Sequence, residues 1–268
     1  MNDLEAKETI MSYQGAIAWL DLFVDDVNKA KTFYSELFNW SAQEMQVGEG
    51  LPPYTMFLDD DDNAFCGATK PEQVCLKNSW LAYIHIEDLN QTAEIIKAND
   101  GKVLFEKEMP GIGKWVVAQD NQGAIFAPFQ AATKPIQDSL PQFPASLGKH
   151  CWHEYMANDY NKSFEFYQKI FAWQQGDAMD LGAMGTYQLY TWQDNPMGGM
   201  MNITAEMQGM QPTWVEYFHV TNVDDIVNRA QSLGGSPSFP AMDVKDGGRV
   251  AGIVDNQGVL FAVWQGAK

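Results

Sequence analysis

Basic residues are scarce: 17 Lys and Arg stand against 35 Asp and Glu, for a formal net charge of −18. Non-specific nucleic-acid affinity rests on cations that neutralise phosphates, so neither nucleic acid nor an anionic membrane surface is an expected partner. Cysteine is also scarce. Cys66, Cys75 and Cys151 are odd in number, irregularly spaced and without a CxxC pair, which suggests buried thiols and neither a disulfide framework nor a thiolate metal site. No apolar run approaches the ~20 residues that cross a bilayer. The segment Met1 to Ile10 lacks the basic start and apolar stretch of a signal peptide. A cytoplasmic location is expected. There is no phosphate-binding Gly loop, and the run Asp59 to Asp62 lacks the spaced ligands of a calcium loop, so it reads as a solvated turn.

What the chain has is length, an apolar share of 46% over 268 residues, and an internal repeat. At an offset of 133, Trp19, Asp21, Asp26, Asn28, Lys29, Phe33, Tyr34, Phe38 and Trp40 recur as Trp152, Glu154, Asp159, Asn161, Lys162, Phe166, Tyr167, Phe171 and Trp173. Trp80, Tyr83, His85 and Gly101 recur at 134 as Trp214, Tyr217, His219 and Gly235. The hairpin Asp120-Asn121-Gln122-Gly123, with Phe126 and Gln130, recurs at 135 as Asp255-Asn256-Gln257-Gly258 with Phe261 and Gln265. Two copies of one domain are implied. We expect an N-terminal tail over 1–12, domains over 13–133 and 147–268, and a linker over 134–146 that carries Pro135, Pro141 and Pro144.

Each half divides again. Ala16 to Val24 is strand-like, and Asp26 then caps a helix whose apolar residues Val27, Ala30, Phe33, Tyr34 and Leu37 follow helical spacing. Strands are expected at Ser41 to Val47, Tyr54 to Leu58 and Ala64 to Thr69. The second quarter repeats the order: a strand at Leu81 to Ile86, a helix at Leu89 to Asn99, and strands near Val103 to Lys107, Lys114 to Gln119 and Ala124 to Phe129. Helices near Tyr160 to Phe171 and Val223 to Leu233 place the same βαβββ unit in quarters three and four.

Val24-Asp25-Asp26 running through Phe33-Tyr34 to Phe38-Asn39-Trp40, its copy from Ala157-Asn158-Asp159 to Phe171-Ala172-Trp173, and the two Asp-Asn-Gln-Gly hairpins resemble the vicinal-oxygen-chelate superfamily. That superfamily holds glyoxalases, bleomycin resistance proteins and dioxygenases. Trp-x-acid in the first strand, and Gly248-Arg249-Val250-Ala251 through Phe261 to Gln265, are similar to its two-domain glyoxalase-like hydroxylase branch. The resemblance implies an α+β fold of four βαβββ modules in two tandem domains, each a half-barrel sheet with helices outside and a ligand on the concave face.

Metal-dependent members take His or Glu ligands from first and last strands. Here those slots hold Trp19, Leu81, Trp152, Val215, Ala127 and Ala262, with Ala68 and Met200 near the two less certainly aligned ones. None of the first six can bind a metal and the last two offer no obvious ligand, so no metal and no cofactor is expected. Strand alternation turns Trp19, Asp21 and Phe23 toward the cavity, and Tyr83 and His85 with them. The second copy gives Trp152, Glu154, Met156, Tyr217 and His219. In paired modules the first strands lie side by side, so we expect Asp21 to approach His85 and Glu154 to approach His219. His85 and His219 are then acid/base candidates oriented by Asp21 and Glu154, with Trp19, Phe23, Tyr83, Trp152, Met156 and Tyr217 as ligand contacts. His150 and His153 flank Cys151, but His153 falls on the helix-facing side and has no first-half partner at Leu20, so a local packing role is expected. The seven methionines from Met179 to Met210 suit either an adaptable pocket or gap-filling. The implied partner is a small molecule. Three readings stay open: acid/base enzyme, ligand-sequestering protein of the resistance type, and interaction scaffold with vestigial cavities. A homodimer is compatible with each.

Overall fold

The computed structural model describes residues 12–48, 53–133, 145–207, 209–244 and 247–267. The expected linker lies outside the described residues except for Ala145 and Ser146, as does all of the tail but Ser12.

Four modules follow one another. The first comprises β1 (Ile17–Phe23), α1 (Val27–Phe38), β2 (Ser41–Met45), β3 (Tyr54–Leu58) and β4 (Ala64–Thr69). The second comprises β5 (Ser79–His85), α2 (Leu89–Ala98), β6 (Lys102–Met109), β7 (Gly113–Gln119) and β8 (Ile125–Ala131). In the second half, β9 (His150–Ala157), α3 (Tyr160–Phe171), β10 (Gln174–Asp180), β11 (Thr186–Trp192) and β12 (Asn195–Asn202) precede the last module. That module is β13 (Thr213–His219), α4 (Val223–Ser232), β14 (Ser236–Val244), β15 (Gly248–Val254) and β16 (Leu260–Gln265). Each helix begins where an oxygen can satisfy its free N–H groups: Asp26, Asp88, Asp159 and Asn222 accept from backbone two or three residues on. No described helix is long and apolar enough to cross a membrane.

The modules form two separate eight-stranded sheets, β2-β3-β4-β1-β5-β8-β7-β6 and β10-β11-β12-β9-β13-β16-β15-β14. Among the described residues no strand passes from one to the other. In each sheet the first strands of the two modules pair antiparallel at the centre, as β1 with β5 and β9 with β13. The chain therefore consists of two tandem half-barrel domains of the expected α+β type.

The helices lie between the sheets, so the helix-packed faces of both halves share one apolar core. Across it Trp80 meets Phe218 at 5.2 Å and Tyr34 meets Phe261 at 5.5 Å, and on the other side Phe126 meets Tyr167 at 5.3 Å. The repeated tryptophans cross the seam reciprocally: Trp40 donates to the Gly148 carbonyl at 2.9 Å and Trp173 to that of Gly15 at 2.8 Å. The repeated hairpins do likewise. Asp120 accepts from its own turn and from the hydroxyls of Tyr155 and Tyr167; Asp255 accepts from its turn and from Tyr34. The amides of Gln122 and Gln257 each bracket the backbone of the opposite half's helix cap, at Asp159 and Asp26. The concave faces point away from this core, and each carries its own apolar cluster.

Candidate ligand site on the concave faces

Alternation along β1 places Trp19, Asp21 and Phe23 on the concave side, and Phe23 and Tyr83 are buried there with Leu76, Leu81, Val117 and Ala127. Asp21 is 8% exposed. Its carboxylate accepts from the Trp19 indole at 3.1 Å, from the Tyr54 hydroxyl, and from the Tyr83 hydroxyl. Trp19 also donates to the Tyr54 oxygen at 2.7 Å. The second half repeats the network. Glu154 accepts from Tyr187 at 2.8 Å and from Tyr217 at 2.9 Å, while Trp152 donates to the Tyr187 oxygen at 2.7 Å.

Tyr54 and Tyr187 reach their carboxylates by lying across a neighbouring strand, and that strand has no side chain at the crossing point. Gly67 sits beside Asp21 and Gly199 beside Glu154 in the parallel pairings β4 with β1 and β12 with β9. A Cβ on either glycine would overlap the tyrosine. Neither tyrosine and neither glycine is among the site residues expected from the sequence. The signal was present, since Tyr54 and Tyr187 are also 133 residues apart and Gly67 and Gly199 are 132 apart.

Burial raises the pKa of Asp21 above the usual carboxylate range, with the hydrogen bonds from Tyr54, Tyr83 and Trp19 pulling the other way. Glu154 is raised for the same reason, against Tyr187 and Tyr217. The phenols of Tyr54, Tyr83, Tyr187 and Tyr217 are pushed up by burial and by the adjacent carboxylate. Each network thus joins a carboxyl group that holds a proton more readily than usual to two phenols that keep theirs. This arrangement can pass a proton, or stabilise negative charge on a ligand oxygen.

The expected acid and imidazole pairs do not form. Antiparallel register sets Asp21 opposite Leu81 and Glu154 opposite Val215, four residues short of His85 and His219, which is about 13 Å along a strand. His85 lies at the end of its strand against Tyr13 and Phe129, its Nδ1 buried and unpaired; burial lowers its pKa to about 4. His219 Nδ1 bonds the Ala145 carbonyl at 2.7 Å, beside Trp264. His219 also lines a surface recess of about 370 Å³ between the halves, with Trp40, Phe65 and Lys149. A second recess, of about 390 Å³, lies between α1 and the loops at Leu233 and Asn256.

The walls of the two concave faces differ. The first is aromatic, with Phe105, Trp115 and Phe129 around Trp19. The second gathers Met156, Met179, Met184, Met201, Met207 and Met210 around Trp152 and Trp264, while Met197 and Met200 pack in the shared core. The metal slots hold what the sequence shows. Ala127 and Ala262 pair with Tyr83 and Tyr217, and Leu81 and Val215 face the acids. A single carboxylate among phenols and indoles lacks the imidazoles of the superfamily's metal centres, so no step is derived through a metal there.

On the helix-packed face of the second half, His153 is indeed turned inward. It stacks on Trp214 at 3.8 Å, and with His150 it meets Glu216. Burial raises the Glu216 pKa, but His153 and His150 outweigh it and draw the group down to about 2. Burial holds the His153 pKa below its ordinary value, with Glu216 pulling the other way.

Residues 16–127 match the model of the Glyoxalase/Bleomycin resistance protein/Dioxygenase superfamily, and the second half is a copy of that half. The first half of the chain thus matches this superfamily, and the internal repeat extends the likeness to the second. Among curated relatives, "Putative glyoxylase CFP32" of Mycobacterium bovis is 25% identical over 253 residues, covering 93% of this chain and 94% of its own. "Anthracycline biosynthesis protein DauV" of Streptomyces sp. is 26% identical over 263 residues, covering 93% and 92%. Among solved structures, the Mn(II)-bound glyoxalase of Novosphingobium aromaticivorans superposes with a TM-score of 0.61 at 12% identity, over 95% of this chain and 83% of that one. The 2,2',3-trihydroxybiphenyl 1,2-dioxygenase of Sphingomonas wittichii gives 0.62 at 11%, over 96% and 91%. These two share the fold.

Proposed function

We propose that this protein binds a small organic molecule on its concave faces and acts on it by acid/base chemistry without a metal. The observation that carries the reading is the buried carboxylate held by two phenols and backed by an indole, present in both halves where the slots for metal ligands are apolar. Glu154 is the proton-handling group; when it takes the proton from the ligand, Tyr187 and Tyr217, whose single O–H groups it accepts before the step, turn to donate to the developing oxyanion, and Asp21, Tyr54 and Tyr83 do the same in the first half. Trp152, Met156, Trp264 and the adaptable methionines form the apolar wall. His85 and His219 then shape the rim of each cavity without touching the proton. The location is cytoplasmic, and the acidic charge keeps phosphate-bearing partners away.

The relatives' names supply two chemical classes for a ligand panel: α-ketoaldehyde adducts and anthracycline-like ring systems. Thermal shift and calorimetry with that panel in EDTA should find a binder for the wild type that Glu154→Gln and Tyr187→Phe lose, and product analysis then separates turnover from sequestration. A second reading, the interaction scaffold, is favoured by the aromatic side chains that crowd the first concave face. It would stand if neither face bound any compound while the two variants melted well below the wild type.

A further inference from the structure

A second chemical feature lies away from the concave faces. His150, His153 and Glu216 converge on the helix-packed side of the second sheet, where the first half carries Ile17, Leu20 and Ala82 at the corresponding offsets. Residues three apart in a strand ordinarily face opposite ways. Here the register between β9 and β13 slips, pairing Trp152 with Tyr217 but His150 with Phe218, and the extra residue, Cys151, turns both imidazoles to one face. The first half has the same slip between Ile17 and Trp19, so the bulge is common to both and the histidines are not.

Glu216 Oε2 lies 2.7 Å from His150 Nε2 and 2.9 Å from His153 Nδ1, and the three atoms are within 4.8 Å of one another. Glu216 and His153 are each 1% exposed. Hydrogen bonding does not exhaust the cluster, because the second oxygen of Glu216 is buried and has no partner. The flat stack of His153 on Trp214 holds its Nδ1 toward the carboxylate. Two imidazole nitrogens and a carboxylate with a spare oxygen form the donor set of a borderline divalent ion. Tetrahedral ligands at metal distances of about 2.0–2.2 Å stand about 3.3 Å apart, so the two gaps to Glu216 need to open by about half an ångström while the two imidazole nitrogens, which lie within 4.8 Å of each other, adjust to the same spacing. His150, whose side chain is 11% exposed, is the accessible member of the cluster, and the residues just before it, Gly148 and Lys149, line a recess with Asp59, Asp60 and Asp61.

We propose that His150, His153 and Glu216 form a structural site for one divalent transition-metal ion, zinc(II) being the best fit, in the second half alone. The ion braces β9 against β13 and takes no part in the chemistry of the concave faces, so the two readings stand or fall separately. The full chain, stripped with EDTA and desalted, is titrated with cobalt(II) and with zinc(II) near neutral pH. We expect one ion per chain by elemental analysis, visible cobalt absorption of four- or five-coordinate strength, and a rise in Tm with zinc. His150→Ala, at a partly accessible position, and the near-isosteric Glu216→Gln should each weaken binding at least 100-fold and remove the Tm response. His85→Ala and His219→Ala should leave binding within twofold. Less than about 0.2 ion per chain in the wild type, the weak spectrum of hydrated cobalt, or binding that survives both cluster variants would overturn the proposal. If a variant fails to fold, the stoichiometry and spectrum of the wild type decide alone.

Discussion

On their concave faces the two halves keep one hydrogen-bond network, Trp19, Asp21, Tyr54 and Tyr83 matching Trp152, Glu154, Tyr187 and Tyr217. On their packed faces they have parted, with Ile17, Leu20, Leu22 and Ala82 in one half and His150, His153, Tyr155 and Glu216 in the other. Interior positions are ordinarily the most constrained by packing. Their divergence shows that the copies have had room to change buried residues, so the retained network is more than inheritance left untouched. It is costly to retain: a carboxyl group whose pKa is raised by burial opposes folding when ionised. Groups kept against stability are the first to test for a role in a site.

The comparison can be broken most forcefully at the seam. Asp120 accepts two tyrosine hydroxyls, whereas Asp255 accepts one because Leu22 replaces the tyrosine found at Tyr155. Asp120→Ala should therefore lower unfolding free energy by about 3–5 kcal/mol and Asp255→Ala by about 1–2 kcal/mol less than that, read from denaturant melts. Equal losses would remove the asymmetry.

Next is His85. Its pKa is about 4 in the folded protein against 6.5 in an open chain, so the neutral ring's contribution is full above pH 6.5 and is lost as pH falls toward 4. His85→Phe should remove up to about 3 kcal/mol of that pH dependence. A variant whose stability follows the wild-type slope over this window would refute the assignment.

A smaller effect sharpens the match between the networks. Gly67→Ala and Gly199→Ala each push a tyrosine off its carboxylate, and overpacking of this kind costs about 1–3 kcal/mol. Similar losses in both halves, with ligand affinity falling more for the half that binds, would identify the working face by calorimetry.

Least in stability, though decisive for function, is Glu154→Gln. Removing a buried group with a raised pKa should change stability at neutral pH by less than about 1 kcal/mol, in the stabilising direction. The gain should vanish below pH 4.5, where the unfolded-state carboxyl is itself protonated. A melt several degrees lower at pH 7 would make Glu154 a structural residue.

Much of the architecture was legible because its signals are local. Capping acids, helical spacing and a 133-residue offset give the modules directly, and α3 falls at Tyr160–Phe171 as expected. Alternation also placed Asp21 and Glu154 correctly. Their partners were not legible in the same way, because antiparallel register reverses direction: a shared face does not mean a shared height, and His85 lies four residues beyond Leu81. Bulges are equally silent in a sequence, so the convergence of His150 with His153 needed coordinates. The Asp-Asn-Gln-Gly hairpins were visible as turns, but their role as clasps between halves depends on contacts up to 231 residues apart.

That separation has a temporal meaning. Gln257, which clasps the start of α1, is synthesised 231 residues after Asp26. At bacterial or eukaryotic elongation rates of about 5–20 residues per second, roughly ten to fifty seconds pass between them. Meanwhile Phe33, Tyr34 and Phe38 have no Phe261 or Phe218 to cover them. The nascent first half emerges with an uncovered aromatic face, a surface suited to holding by chaperones and to wrongful pairing with neighbouring chains on the same message. Tandem fusion makes correct pairing intramolecular, but only once the second half has emerged.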